Sequence, residues 1–416
     1  MKVIVLGAGV NGVVSAYFLA RAGHQVRVIE KKSASALACS KANGGQLSYS
    51  HVETWAAKES FWSIIKAAFA PNSFLTISNI FSADFFKWLY EFCKNSTHAK
   101  SYENSQKLLL LSLYSKKALQ EILTNEDIYF NYQNKGILHF YRNPKLLDAA
   151  INKAQAFGCA YKVLNAEECV KKEPTLVRIF DEKKLAGGIF YEIDASGDCH
   201  LFTQSLAEIC HKKYGVIFEY EAVIKNIFTN YKKITGINTN KGVFTADKYV
   251  STLGAFGNKL LRGVGINTKI YPLRGYSLSI QADDEFIAPK IALSDIENKI
   301  VYSRIGDIFR AAGTIEIASL NAKENKKNFN FLSKIIHKSF SDFGNFNEVK
   351  KWSDFRPFRP NSLPLICETK KYRNLLINAG HGSLGWTLSA ASGKILANLV
   401  DDKKDENFAF LEDENL

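Results

Sequence analysis

The chain opens on a short β-branched apolar run, residues 2–6 (KVIVL), followed by glycines at 7, 9 and 12, an apolar stretch from about Val10 to Ala22 closed by Gly23, and a second run, residues 25–30 (QVRVIE). This predicts strand, tight turn, helix and strand within thirty residues. Residues 104–124 and 143–157 carry helical patterns, whereas 136–142 (GILHFYR) and 187–193 (GGIFYEI) predict strands. An amphipathic helix is expected over 201–215, ending at Gly215, with an alternating stretch over 234–254 that reads as a β-meander returning to a buried strand. Residues 271–317 are mostly β in pattern, 322–345 form a Lys- and Asn-rich helical segment, and 374–400 repeat strand, glycine loop and helix. With α/β pieces at the beginning, middle and end, two interleaved domains are expected in place of two consecutive ones.

A length of 416 residues fits two or three domains at roughly 150 residues each. The 46% hydrophobic and 23% charged content excludes a disordered or collagen-like chain. The net charge is +13, and the acidic last sixteen residues leave the preceding body at about +18. Charge of this size suits an anionic cofactor, an anionic lipid surface or nucleic acid, without choosing among them. Seven scattered cysteines with no CxxC spacing predict reduced thiols, with neither a disulfide framework nor a zinc site. The apolar residues 3–20 are interrupted by three glycines and an Asn, so they read as neither a signal peptide nor a membrane span.

Three glycine-containing motifs carry candidate chemistry. In Gly7-Ala-Gly9-Val-Asn-Gly12 the first glycine permits the turn, the second lets the backbone approach a pyrophosphate, and the third lets helix pack on strand. Glu30, at the end of the second strand, is placed to accept hydrogen bonds from a ribose diol. The second motif, Gly380-His381-Gly382-Ser383-Leu384-Gly385-Trp386, lies between a strand and a helix, whose N-terminus suits a flavin carbonyl that gains negative charge on reduction. The third, Ser40-Lys-Ala-Asn43-Gly44-Gly45-Gln46, can run flat against a ring system or form an ordinary surface turn.

Five segments appear in an order that resembles the D-amino acid dehydrogenases of the small-subunit type, within the wider group of FAD-dependent D-amino-acid and glycine oxidases. They are SKANGGQLS (40–48), GDCHLFTQSL (197–206), YPLRGYSLSI (271–280), FRPFRPNSLP (355–364) and NAGHGSLGWTLS (378–389). The resemblance spans essentially the whole chain. It implies an α/β (α+β) fold in which a Rossmann-like FAD-binding domain, 1–85, 198–266 and 346–416, is interleaved with a mixed-sheet substrate domain, 86–197 and 267–345. FAD is then expected on Gly7, Gly9, Gly12, Glu30 and Ser40, with its isoalloxazine beside Asn43, Gly44, Gly45 and Gln46 and its reducible carbonyl side facing Gly382, Ser383, Leu384, Gly385 and Trp386. Arg356 matches the position that holds the substrate carboxylate, a task suited to the two parallel hydrogen bonds of a guanidinium fork. Where the family typically reads Gly-Leu-Arg-Pro-x-Thr-Pro-Asp-Gly, this chain has Asp354-Phe-Arg-Pro-Phe-Arg359-Pro-Asn361-Ser362.

The implied reaction is oxidative deamination of a D-amino acid by hydride transfer to flavin N5, giving a 2-oxo acid and ammonium, with electrons passed to a quinone or other respiratory acceptor. Arg356 would clamp the carboxylate, and a neutral amine needs no strong base. Tyr276 and Tyr302 are candidates to close the pocket or bond the substrate, packing being the alternative for each; His381 reads as a flavin-shell or structural residue. Residues 61–92 hold ten aromatics and four charges, and the longest uncharged stretch is interrupted by Pro71 and polar residues. That segment does not span a bilayer but is a candidate peripheral membrane surface, or a set of packed helices. The expected location is the cytoplasmic face of the inner membrane or the cytoplasm. An oxygen-using oxidase of the same fold is the near alternative. An RNA-modifying flavoprotein is the alternative of another class, but the dispersed lysines show no basic patch with stacking aromatics, and no nucleic acid is expected. A non-catalytic dinucleotide sensor has no use for the Arg-Pro motif.

Overall fold

The computed structural model describes residues 1–57, 73–78, 82–282, 288–340 and 348–413. Two large sheets organise the chain. The first has six strands in the order Leu365–Glu368, Leu375–Ala379, Lys248–Ser251, Lys2–Leu6, Gln25–Ile29 and Ile217–Glu219, all parallel except the antiparallel edge pair Leu365–Glu368 and Leu375–Ala379. Its central strand is apolar at every position from Val3 to Leu6, as expected where both faces are covered. The helices Val10–Arg21, Cys199–Tyr214 and Gly385–Val400 bury Val3, Val5, Val26 and Val28 on one face. On the other, Ile4 and Leu6 pack into a cluster with Ile227, Ile234 and Ile237 of the three-stranded meander Ile224–Asn230, Lys233–Thr239 and Gly242–Phe244.

The second sheet has nine strands. Eight follow the order Lys350–Phe358, Tyr271–Gln281, Ile308–Ala318, Ile300–Ile305, Ala292–Asp295, Ile137–Tyr141, Gly187–Tyr191 and Lys162–Leu164; Leu75–Ser78 pairs in parallel with the end of Ile308–Ala318. The sheet is mixed, and Lys326–Ser339 packs over one of its faces through Phe329, Leu332 and Ile336. The partition differs from the expected segment boundaries in three places. Leu75–Ser78 and Lys350–Phe358, assigned by sequence to the first unit, hydrogen-bond within the second sheet. Conversely, the helix His98–Asn125, assigned to the second, packs against Gly385–Val400 and buries Leu108, Leu111 and Leu119 in the first core. Backbone pairing and a shared apolar core override sequence proximity in deciding where each belongs.

All seven cysteines are free. Among the described residues no helix is long and apolar enough to cross a membrane, and no group of three or more His, Cys, Asp or Glu could hold a metal. Of the aromatic segment, 61–72 and 79–81 lie outside the described residues. Its remainder includes the helix Ala83–Asn95, capped by Ser82, which buries Phe85, Trp88 and Phe92 and exposes Phe86 and Tyr90.

Candidate active site

The first glycine motif folds as its spacing predicts. Gly7 has φ +102°, a conformation that disfavours any side chain, and a Cβ on Gly12 would lie 2.0 Å from the Gly7 carbonyl oxygen and 2.7 Å from Thr252 Oγ1. Gly12 therefore seats the helix on the strand and does not itself line the cavity in front. Thr252 donates to the Leu6 carbonyl at 2.8 Å and fixes the turn from the neighbouring strand. Glu30 accepts from Ala8 N–H at 2.7 Å and from Lys32 N–H at 2.8 Å, so its carboxylate is held at the cavity with one lone pair free on each oxygen. Ser40 Oγ accepts from Val10 N–H at 3.1 Å, joining the third motif to the first helix turn.

These groups open onto a cavity of about 470 Å³ between the two sheets. Its wall includes Gly7, Gly9, Glu30, Ser40, Asn43, Arg356, Gly382, Ser383, Gly385 and Trp386, drawn from positions 379 residues apart in sequence. Two helix N-termini face it. Neither Val10–Arg21 nor Gly385–Val400 is capped by the side chain of its own N-cap residue, so, apart from the Val10 N–H taken by Ser40, their starts can offer first-turn N–H groups to an electron-rich ligand. Leu384 precedes the second helix without joining the wall. Two helix starts, a turn whose Gly7 and Gly9 present bare backbone to the cavity, and a carboxylate at the strand end together fit a dinucleotide such as FAD, held at one end by the first motif and at the other by the 382–386 loop.

His381 borders the same cavity, but its ring is buried and its Nε2 lies 2.9 Å from Ser392 Oγ. Burial depresses its pKa to about 3, so it stays neutral and structural, in accord with its reading from sequence.

The third motif divides. Asn43 reaches the cavity, whereas Gly44, Gly45 and Gln46 face the second sheet. Ser277 donates to the Ala42 carbonyl at 2.7 Å, Ser303 to the Gly44 carbonyl at 2.7 Å, and Ser294 to Gln46 Oε1 at 3.2 Å. A Cβ on Gly44 would sit 2.5 Å from Val301 Cγ2, so only glycine lets the loop lie this close. The sheet face toward the loop thus carries Gly275, Ser277 and Ser279 on one strand and Val301, Ser303 and Ile305 on another.

That alternation corrects two assignments. Successive side chains on a strand point to opposite faces, so Tyr276 and Tyr302 lie on the far side of the sheet from the loop. Tyr276 donates to Glu316, accepts from Asn325 N–H at 3.0 Å and packs edge-on against Phe329. Tyr302 is fully buried, stacked on Phe309 and edge-on to Phe340. Neither lines the cofactor cavity, and both side chains serve the core beneath Lys326–Ser339, although Tyr276 also borders the small pocket beside Arg356.

Arg356 does reach it. Its guanidinium lies flat over Gly275: a Cβ there would be 2.6 Å from Nε and 2.7 Å from both Cζ and Nη2. Among the described residues it has no carboxylate within 4 Å, although burial lowers its pKa, an effect only partly opposed by Cys39. A desolvated cation with no anionic partner is costly unless a ligand supplies one. The second arginine behaves differently. Arg359 is buried and paired with Asp413 at 2.7 Å, on the chain's C-terminal segment, and its stem packs against Gly380. It is therefore a structural ion pair behind the 380–386 loop. Asp354 accepts from Phe355 N–H at 2.7 Å and borders the small pocket beside Arg356; burial raises its pKa.

A family model described as FAD dependent oxidoreductase matches residues 2–399. The chain belongs to this FAD-dependent oxidoreductase family. It is 36% identical over 409 residues to the D-amino acid dehydrogenase of Neisseria meningitidis serogroup C, covering 98% of this chain and 97% of the relative. It is 35% identical to the D-amino acid dehydrogenase of Paramagnetospirillum magneticum, covering 97% and 96%. These relatives place it among the D-amino acid dehydrogenases, as its five segments implied, and its cofactor is FAD. In fold it is similar to glycine oxidase from Bacillus cereus, with a TM-score of 0.75 over 100% of this chain and 99% of that one at 20% identity.

Sequence reasoning missed Thr252, the serine contacts to the loop, and Asp413. The serines had a signal, because in YPLRGYSLSI small residues alternate with large ones, marking the face that another segment approaches. Asp413 had none, since its partner is 54 positions away.

Proposed function

We propose that the enzyme oxidises D-amino acids to 2-oxo acids and ammonium and delivers the electrons to a membrane quinone. The observation that carries the substrate reading is Arg356, a desolvated guanidinium in the wall of the cofactor cavity with no carboxylate partner among the described residues. When bound, FAD supplies a two-electron acceptor for the Cα hydrogen and its bonding pair. Arg356 binds the carboxylate through two parallel charge-assisted hydrogen bonds, which fixes orientation as well as place. The second sheet, fastened to the 42–46 loop by Ser277, Ser303 and Ser294, walls the substrate from bulk water. Loss of Cα–H and one amine proton leaves a C=N bond, and water then adds to release the 2-oxo acid and ammonium. With His381 held neutral against Ser392, and Tyr276 and Tyr302 on the far face, the reading requires the amine to bind already neutral.

The quinone and membrane part rests on surface character. Phe86 and Tyr90 are exposed on a helix that also carries Lys87 and Lys94, in a chain of net charge +13. Docking on the cytoplasmic face of the inner membrane follows from that reading.

The substrate reading is tested with Arg356→Ala. The apparent KM for a D-amino acid rises at least about tenfold while the flavin absorbance per protein is retained; an unchanged KM refutes the clamp. Turnover stimulated by quinone without stoichiometric peroxide supports the acceptor, and stoichiometric peroxide replaces it with oxygen.

A further inference from the structure

Opposite Gly275 the second sheet contains an irregularity. Ser277 pairs with Ala312 and Tyr276 with Gly313, but Gly275 pairs with Ile315, so Thr314 is an extra residue in its strand. Its φ is +57°, a left-handed conformation unfavourable for a β-branched side chain. Counting faces fixes its direction. Ala312 lies on the loop-facing side, against Gly44, and alternation returns that side at Thr314; Ile315, directly across from Gly275, also lies there. Two consecutive side chains on one face are the signature of a bulge, which re-aims a residue that a regular strand would turn away.

Thr314 thus stands one strand spacing, about 4.8 Å, from the glycine over which the Arg356 guanidinium lies. Its residue is 1% exposed, and Oγ1 has no hydrogen-bond partner among the described residues. Backbone strain and an orphaned buried hydroxyl both oppose folding, and they coincide beside a cation that has no carboxylate partner among the described residues. Strain of this kind persists where the surrounding structure imposes it, most often at ligand sites.

We infer that Thr314 is a substrate-binding residue, its hydroxyl accepting an N–H from the α-amino group of the amino acid whose carboxylate Arg356 holds. Arg356 and Thr314 then read the two ends of the amino-acid head group from the two strands that flank Tyr271–Gln281. The inference rests on the D-amino acid reading above and deepens it. The hydroxyl is satisfied only when ligand is bound, which explains its lack of a partner among the described residues.

The test compares Thr314→Val and Thr314→Ser with wild type as FAD-loaded enzymes. The ligands are 2-aminoisobutyrate, which has no Cα hydrogen to lose, and isobutyrate, which has the carboxylate alone; binding is read from the flavin difference spectrum. In Thr314→Val the Kd for 2-aminoisobutyrate rises about five- to tenfold, the Kd for isobutyrate is unchanged, and Thr314→Ser binds both like wild type. The melting temperature of Thr314→Val in the absence of ligand equals or exceeds that of wild type, because an unpaired buried hydroxyl is replaced by a methyl. A hydroxyl needed for the fold would instead lower it. Unchanged 2-aminoisobutyrate affinity in Thr314→Val, or equal losses for both ligands, overturns the inference while leaving Arg356 in place. If wild type binds isobutyrate and Arg356→Ala does not, the carboxylate clamp stands independently of Thr314; if neither ligand perturbs wild-type flavin, both readings fall.

Discussion

Gly275→Ala isolates the carboxylate clamp without touching it. A methyl at this position occupies the space of the Arg356 guanidinium, 2.6 Å from Nε and 2.7 Å from Cζ and Nη2. Distances under 3 Å to a carbon cannot be kept, and of the two groups the guanidinium moves, because it is the far end of a flexible side chain. Gly275 does not have a positive φ, so alanine adopts its backbone conformation without strain. The cost falls on the ligand. Each hydrogen bond between a guanidinium and a carboxylate contributes about 1.5–3 kcal/mol, and displacement of the fork removes at least one of two. At 1.4 kcal/mol per factor of ten, the apparent KM for a D-amino acid rises about ten- to hundredfold. The assay is steady-state turnover with an artificial electron acceptor, alongside the flavin absorbance and melting temperature of the purified variant. Retained flavin with a raised KM is the expected pattern. A wild-type KM would refute the proposed position of the substrate, and loss of flavin would show that Gly275 supports the cofactor in place of the substrate.

Three further outcomes follow from particular contacts. Gly12→Ala puts a methyl 2.0 Å from a backbone oxygen, so helix and strand must separate and the purified protein loses its 450 nm absorbance; normal flavin content would contradict the cradle. Asp194 is fully buried, accepts from the N–H groups of Tyr49 and Ser50, and is raised by burial from 3.8 to about 6. The folded state thus holds a proton that the unfolded chain has released, and stability falls as pH rises from about 4 through 6, by roughly 3 kcal/mol in all. Asp194→Asn keeps an acceptor for both N–H groups and removes this slope, melting higher than wild type at pH 7.5 with the difference vanishing below pH 4; a lower melting temperature at pH 7.5 would count against it. Asp413→Ala leaves Arg359 buried without its nearest carboxylate and lowers the unfolding free energy by about 3–5 kcal/mol in chemical denaturation, with Arg359→Met on the same background recovering much of the loss.

Local constraints explain what could be read from the chain. Gly7, Gly9, Gly12 and Glu30 were legible because a tight turn, a helix start and a strand end all fall within one contiguous unit, where spacing alone carries the geometry. Most strands were legible for similar reasons. The place of Arg356 in the cavity wall could be expected only through resemblance, since a lone arginine is more often half of an ion pair, as Arg359 proves to be. Tyr276 and Tyr302 were misread because alternation gives two faces without saying which one meets the cofactor; the small residues Gly275, Ser277 and Ser279 held that answer. Thr314 left a weaker trace, a glycine before a β-branched residue inside a strand, because a bulge is a property of how two strands pair. The placement of Leu75–Ser78 and His98–Asn125 depends on partners more than two hundred residues away, which local pattern does not encode.

The central claim is that a D-amino acid, held by Arg356, reduces FAD bound between the two sheets. Its most direct test is anaerobic titration of the purified flavoenzyme with paired D- and L-amino acids, following absorbance near 450 nm. Bleaching by D-enantiomers and not by their L-counterparts, with half-saturation shifted at least about tenfold in Arg356→Ala, is the predicted result. Flavin that stays oxidised with every D-amino acid, or bleaches at the same concentration in Arg356→Ala as in wild type, would contradict it.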